Sequence, residues 1–397
     1  MTRATIAGLF GLCLLAAPGI ALADEPGGHV LLESRLRYES VDQDGFSRTA
    51  DALTLRTRLG YETGSFHGWK ALVEAENVVA VSERYNSGVN GRTAYPSIPD
   101  PEGSEINRAQ ISWSNPHVEV TVGRQRIILS NARFVGNSGF RQNEQTFDAA
   151  RLVVRAGPDV TATYVYVDNV RRIFGDDHPQ GVFRSDSHLA QVEARTGFGR
   201  VSAYAYVLDF RNAPALSSAT FGARLTGDRA LGGGIALTYD VEYARQSDYA
   251  GNPARYTVDY LATALGLRRG ASSVSIGVER LDGNGAVAFQ MPLATLHAFQ
   301  GWADVFLTTP GAGVRDLNLR ASTILPFPPG ARAVRLTAAA HDFASADGDV
   351  AYGREIDFLV SAPIVRRVTA EMAAAFFDGR GAFADRTKVW VTLDYRF

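Results

Sequence analysis

The feature that most constrains this chain is a hydrophobic alternation of period two that recurs from His29 to the C-terminus. Successive side chains of a strand point to opposite faces, so each alternating segment has one apolar face and one polar face. In the second segment Leu53, Leu55, Thr57, Leu59 and Tyr61 fall on one side, with Thr54, Arg56, Arg58, Gly60 and Glu62 on the other. Ile235, Leu237, Tyr239, Val241 and Tyr243 repeat the division against Ala236, Thr238, Asp240, Glu242 and Ala244. The segments run to about ten residues, the length a tilted strand needs to cross a bilayer. A soluble sandwich alternates in the same way, so the connections decide.

Those connections switch between short and long. Short turns are predicted near Gly64, at Asn115 to His117, Gly157 to Asp159, Gly197 to Gly199, Gly227 to Ala230, Arg268 to Ala271, Pro326 to Gly330 and Pro363 to Arg367. Longer polar connections lie at Asp42 to Thr49, Ser82 to Ser104, Ile128 to Thr146, Val170 to Ser187 and, more briefly, near Ala213. Others follow at Ser247 to Ala254, Asp282 to Gly313, Ala344 to Tyr352 and Asp378 to Ala384. Trp302 to Leu307 alternates like a strand but breaks the parity of the count, so it is assigned to its loop. The prediction is an all-β fold: a transmembrane antiparallel β-barrel of about 18 strands, with long extracellular loops and short periplasmic turns.

Both ends of the chain agree with that architecture. Arg3, the apolar run Ala4 to Leu22, and Ala21, Leu22 and Ala23 before Asp24 predict a secretory signal peptide over residues 1–23. The barrel then occupies residues 24–397 as one domain, placed in the bacterial outer membrane. The single cysteine, Cys13, falls within the leader, which leaves the mature chain without disulfides or cysteine metal sites. At the other end Val389, Val391, Leu393, Tyr395 and Phe397 share a face opposite Lys388, Trp390, Thr392, Asp394 and Arg396. A terminal Phe with an aromatic residue two positions before it resembles the signal read by the barrel assembly machinery. The expected partners are therefore that machinery and outer-membrane lipids, with the chain a monomer.

A barrel this wide leaves an aqueous channel, so selectivity rests on inward side chains and on loops folded into the lumen. Of 40 basic residues only Lys70 and Lys388 are lysine. On the assigned parity the inward arginines include Arg35, Arg37, Arg56, Arg58, Arg108, Arg151, Arg155 and Arg195. Inward acids accompany them at Glu33, Glu39, Glu62, Glu74, Glu76, Glu119, Asp148 and Glu193. Two readings stay open for each arginine: a cross-strand pair that braces the wall, or a guanidinium fork offered to carboxylates.

Two loop segments are dense in binding chemistry. Gly123, Arg124, Gln125 and Arg126 lead through Arg133, Gly136, Asn137, Phe140, Arg141, Gln142 and Asn143 to Phe147 and Asp148. Pro292 to Phe306 carries His297, Phe299, Trp302 and Asp304 and is too apolar for an exposed loop, so it is predicted to fold inward. Trp302 and Phe299 can then either stack on sugars or pack the loop against the wall.

The Gly123, Arg124, Gln125 triplet running on to Phe147, Asp148, and the stretch from Pro292 through His297 to Gly301, Trp302, Ala303, Asp304, resemble the alginate export family of outer-membrane porins. That resemblance implies an 18-stranded monomeric channel whose arginine-lined pore passes a polyuronate outward. The alternative is an uptake porin for small anions or oligosaccharides. A barrel enzyme is not expected, because none of the seven histidines has a serine or acid at a triad spacing. No cofactor or metal cluster and no nucleic-acid partner is expected; Asp24 and Glu25, or Asp347 and Asp349, form at most weak calcium clusters.

Overall fold

The computed structural model describes residues 27–326 and 333–397. The predicted leader with Cys13, the pair Asp24 and Glu25, and most of the turn at Pro326 to Gly330 lie outside them. The strands begin with β1 (Gly28–Gln43), β2 (Ala50–Thr63), β3 (Trp69–Arg84), β4 (Gly103–Ser114), β5 (Val118–Gln125) and β6 (Thr146–Ala156). They continue with β7 (Val160–Arg171), β8 (Val182–Thr196), β9 (Gly199–Leu208), β10 (Ser218–Gly232), β11 (Ile235–Asp248) and β12 (Thr257–Arg269). The last six are β13 (Ser272–Leu281), β14 (Val314–Leu325), β15 (Val334–Ala344), β16 (Ala351–Val365), β17 (Val368–Gly379) and β18 (Arg386–Arg396).

Each strand pairs antiparallel with its sequence neighbours, and β18 closes on β1 with Leu36 opposite Leu393 and Tyr38 opposite Val391. The result is a closed 18-stranded sheet without an edge. Closure pairs the ladder groups that lipid cannot hydrate. The terminal Phe397 contributes its N–H to the Leu32 carbonyl at 2.9 Å, and the Arg367 guanidinium lies 3.9 Å from the centroid of its ring.

The predicted parity holds around the barrel except at Asp148. Leu59, Tyr61, Val73, Val122, Val241, Tyr243 and Leu393 are exposed on the lipid face, whereas Arg56, Arg58, Glu74, Glu242, Lys388 and Trp390 are buried on the lumen side. Two predicted turns move. Gly227 to Ala230 continues β10, which turns instead at Gly233 and Gly234, both at positive φ. Pro363 stays within β16 at a register shift, so the bend falls at Arg366 and Arg367. A proline is tolerated there because an irregularity in the ladder already relaxes the demand for its missing N–H.

The long connections all emerge at one end. Residues 126–145 and 282–313 leave the rim and fold into the barrel, where they pack against the inner walls. One cluster joins Phe134, Val135, Phe289 and Leu293 of these loops to Val165, Tyr204, Tyr206 and Tyr260 of the wall. A second gathers Trp302, Ala303 and Phe306 with Phe343, Phe377 and Trp390. The lumen thus has a hydrophobic filling on much of its circumference.

Val241→Arg on the lipid face should destabilise the barrel by about 2–4 kcal/mol if the residue sits near the bilayer midplane. Thr238→Arg on the opposite face of the same strand should cost much less; reversible denaturant titrations in lipid vesicles measure both.

Candidate functional site

The two inward loops act as one body. Val135 bridges Leu293 in parallel, the Gly136 N–H donates to the Leu293 carbonyl at 2.9 Å, and the Thr295 N–H donates to Ala132 at 2.9 Å. Gln145 clamps the junction by donating to the carbonyls of Gly136 (2.8 Å) and Leu293 (2.9 Å). The approach explains a glycine at 136, where an added Cβ would run into the Thr295 hydroxyl and come within 2.8 Å of the Ala132 methyl. Gly123 has a similar cause: at φ +118° an added Cβ would strike the Ala109 carbonyl of the neighbouring strand.

Arginines of β1 and β2 face this body. Arg35 and Arg56 are directly opposite across the ladder, a like-charge pair that needs nearby acids. Arg35 meets Asp394 at 2.8 Å and donates to the carbonyls of Gly139 (2.9 Å) and Phe140 (3.2 Å). Arg56 reaches Glu33 only at 3.5 Å. Arg58 binds Glu76 and stands 3.6 Å from both Glu33 and Glu144. Arg37 lies 4.3 Å from the Phe140 ring centroid and 3.9 Å from Asp100. All four are at most 8% exposed, so the loops cover them. Two remain under-satisfied: among the described residues, Nε and Nη1 of both Arg37 and Arg56 lack hydrogen-bond partners.

A hub above this row ties loops to wall. The Asp304 carboxylate receives Lys388 of β18 at 2.6 Å, Arg141 at 2.9 Å and His297 at 2.8 Å. Glu39 of β1 meets the same two cations at 3.2 and 3.3 Å. His297 stacks on Phe140 with ring centroids 3.4 Å apart. Burial alone would push the Asp304 carboxyl up, but His297, Lys388 and Arg141 hold it well below the ordinary carboxylate range. Two strands along the wall from Lys388, Glu355 of β16 accepts the Ala303 N–H at 2.7 Å.

Other predicted site residues separate. Arg108 makes a bidentate pair with Glu74 at 2.9 and 2.6 Å, Arg133 binds Glu279 at 2.6 Å, and Arg151 binds Glu119 at 2.5 Å. Gln125 is buried inward and donates to the Ala149 carbonyl at 3.0 Å. Arg124 and Asp148 are corrected: they pair with each other at 2.7 Å, but on the outer face of the wall. Arg124 shares its side of the sheet with Val120 and Val122, and lies level with Ala109 and Asp148 on the neighbouring strands. Placing Asp148 inward failed because unbroken alternation along β6 sets it opposite Phe147, Ala149 and Arg151; the nearby irregularity belongs to β7, where Asp168 is left unpaired across the ladder. Trp302 is no free platform either. It is 9% exposed and packs edge to face on Trp390, while the Arg133 guanidinium sits 4.8 Å from the Phe299 ring centroid.

Sequence reasoning did not single out Asp100, Glu144 or Glu355. The first two lie in irregular loops, where no periodicity says which way a side chain turns. Glu355 was accessible through the inward parity of β16. Among the described residues no group of three or more acids, histidines or cysteines is arranged to hold a metal ion.

No protein-family model matches this chain, and no curated protein matches its sequence. Solved structures do match its fold. OccK9 (OpdG) of Pseudomonas aeruginosa is 15% identical with a TM-score of 0.72, covering 94% of this chain and 98% of that one. OccAB4 of Acinetobacter baumannii is 12% identical with a TM-score of 0.71, covering 93% and 98%. The outer membrane protein OpdK of Pseudomonas aeruginosa is 14% identical with a TM-score of 0.70, covering 93% and 98%. At such identities the likeness is one of fold. The chain has the closed 18-stranded β-barrel fold of these porins, and the alginate-export resemblance rests on its two short motifs alone.

Asp304→Asn should release the loop body from β18 at a cost of about 3–5 kcal/mol to its anchoring, because two buried cations lose a charged partner. Single-channel recordings should then show larger and noisier conductance. Acid should act similarly through Glu144: burial would raise this carboxyl, but Arg58, Arg126 and Asn107 bring it down from 4.5 to about 2. A depressed carboxyl stabilises the fold above its unfolded value and loses that contribution as pH falls. Current noise should therefore rise as pH drops from 4.5 towards 2, and Glu144→Gln should flatten that part of the profile.

Proposed function

We propose that the chain is an uptake porin for small organic anions. The observation that carries the reading is the pair of buried guanidiniums, Arg37 and Arg56, whose Nε and Nη1 lack hydrogen-bond partners among the described residues where the inward loops meet the arginine-rich wall. A buried donor without an acceptor is costly, and a carboxylate entering there would satisfy it with charge-assisted bonds. Arg35, Arg58 and Arg108 extend the cationic wall along β1, β2 and β4, so an anion would pass from one guanidinium to the next. Fold likeness to OpdK, described as an outer membrane protein, is compatible with this reading.

Outward passage of an alginate-like polyuronate draws on the same arginines and on the two loop motifs. A polymer threading the pore needs a continuous wide path, whereas the joined loops 126–145 and 282–313 cover Arg35, Arg37, Arg56 and Arg58. The geometry therefore favours cargo small enough to move past one side chain at a time.

Reversal potentials in a salt gradient should report anion preference, and a cation-selective wild-type pore would sink the proposal. Arg37→Gln combined with Arg56→Gln should weaken current block by small carboxylates by about tenfold or more. Arg124→Gln, on the lipid side, should leave block unchanged.

A further inference from the structure

The outer mouth holds a cavity of about 430 Å³ above the Asp304 hub, with Arg141, Arg172, Arg386 and Lys388 in its lining. Arg141 and Lys388 are already neutralised by Glu39 and Asp304. Arg172 and Arg386 are not, for neither has a carboxylate partner among the described residues. Arg172 donates to the Gln180 carbonyl at 3.0 Å and is sandwiched between Phe174 and Phe183, 4.6 and 4.2 Å from their ring centroids. Arg386 donates to the carbonyls of Ala303 at 2.9 Å and Asp304 at 3.0 Å, and its Nε has no partner. Two partly buried guanidiniums thus share one cavity with their charge unspent.

The rest of the lining is mixed: polar side chains such as Gln43, Ser97, Gln180 and Thr308 stand beside an apolar patch. Ile173, Phe174, Pro292, Leu296 and Leu307 face the same space as the two arginines. A hydrated inorganic anion gains nothing from those groups, whereas an anion with a hydrocarbon body gains both the charge-assisted bonds and the burial of its apolar surface. We propose that Arg172 and Arg386 form a capture site in the outer vestibule for small organic anions with an apolar body. Burial, with no acid to oppose it, lowers the Arg172 guanidinium to about 10, which agrees with a cation awaiting a counter-charge. The site goes beyond the row of β1 and β2 arginines: it lies on the outer side of the loop body and selects by the cargo's carbon skeleton. It rests on the anion-uptake reading for its purpose.

The test compares hexanoate with gluconate, six-carbon carboxylates of equal charge that differ in hydroxylation, as blockers of single channels formed by the full chain in planar bilayers. Hexanoate added from the loop side should interrupt the current at lower concentration than gluconate. The double variant Arg172→Gln, Arg386→Gln should lose about tenfold of that apparent affinity. Its open-pore anion preference, set by the deeper arginines, should be retained, which also verifies that the barrel has folded. Equal block by the two acids, or an unchanged hexanoate affinity in the double variant, overturns the vestibule site while leaving anion uptake standing. A cation-selective wild-type pore overturns both.

Discussion

In a lipid bilayer an unpaired backbone N–H or carbonyl has no water to turn to, and this requirement governs the whole molecule. A strand can cross only if both neighbours satisfy its ladder, and the last strand can cross only if it returns to the first. The β1 to β18 seam is therefore as necessary as any hairpin. It is also where Lys388, Asp394, Arg35 and Glu39 are brought together from opposite ends of the chain. Once the sheet is closed, every second residue is committed to lipid and every other one to the lumen.

The lumen has its own constraint, because charge cannot be buried there without a partner. Glu39, Asp304 and Glu144 answer Arg141, Lys388, Arg58 and Arg126, and in doing so they fasten the two inward loops to the wall. Hydrophobic packing holds the same loops from the side of β6 to β13. Near the seam the constriction combines both kinds of interaction, ion pairs and the packing of Trp302 and Phe306 on Phe343, Phe377 and Trp390, whereas on the β6 to β13 side aromatic packing is joined by the Arg133–Glu279 pair. Positions where neither kind is complete, at Arg37 and Arg56 and again at Arg172 and Arg386, are where an anionic ligand has something to supply.

Much of this was legible beforehand for one reason. The period of a strand is two, so Arg35, Arg37, Arg56 and Arg58 could be assigned inward from Leu36, Leu55 and Leu59 on the other side. The same rule, carried strictly along β6, separates Asp148 from Arg151, which lie three residues apart and so on opposite faces. Gly227 looked like a turn because glycine and aspartate occur together there, but continued pairing of β10 with β11 as far as Gly232 overrode that local signal.

What the sequence by itself determined is the barrel: its strand number, its two faces and which connections are long, because each follows from local alternation and turn chemistry. Only the tertiary structure decided which charges meet. Asp304 lies 84 residues from Lys388 and 163 from Arg141, and no periodicity links a loop carboxylate to a wall cation. That pairing is set by how two irregular loops pack inside a closed sheet, where burial forces each charged group to find an opposite one.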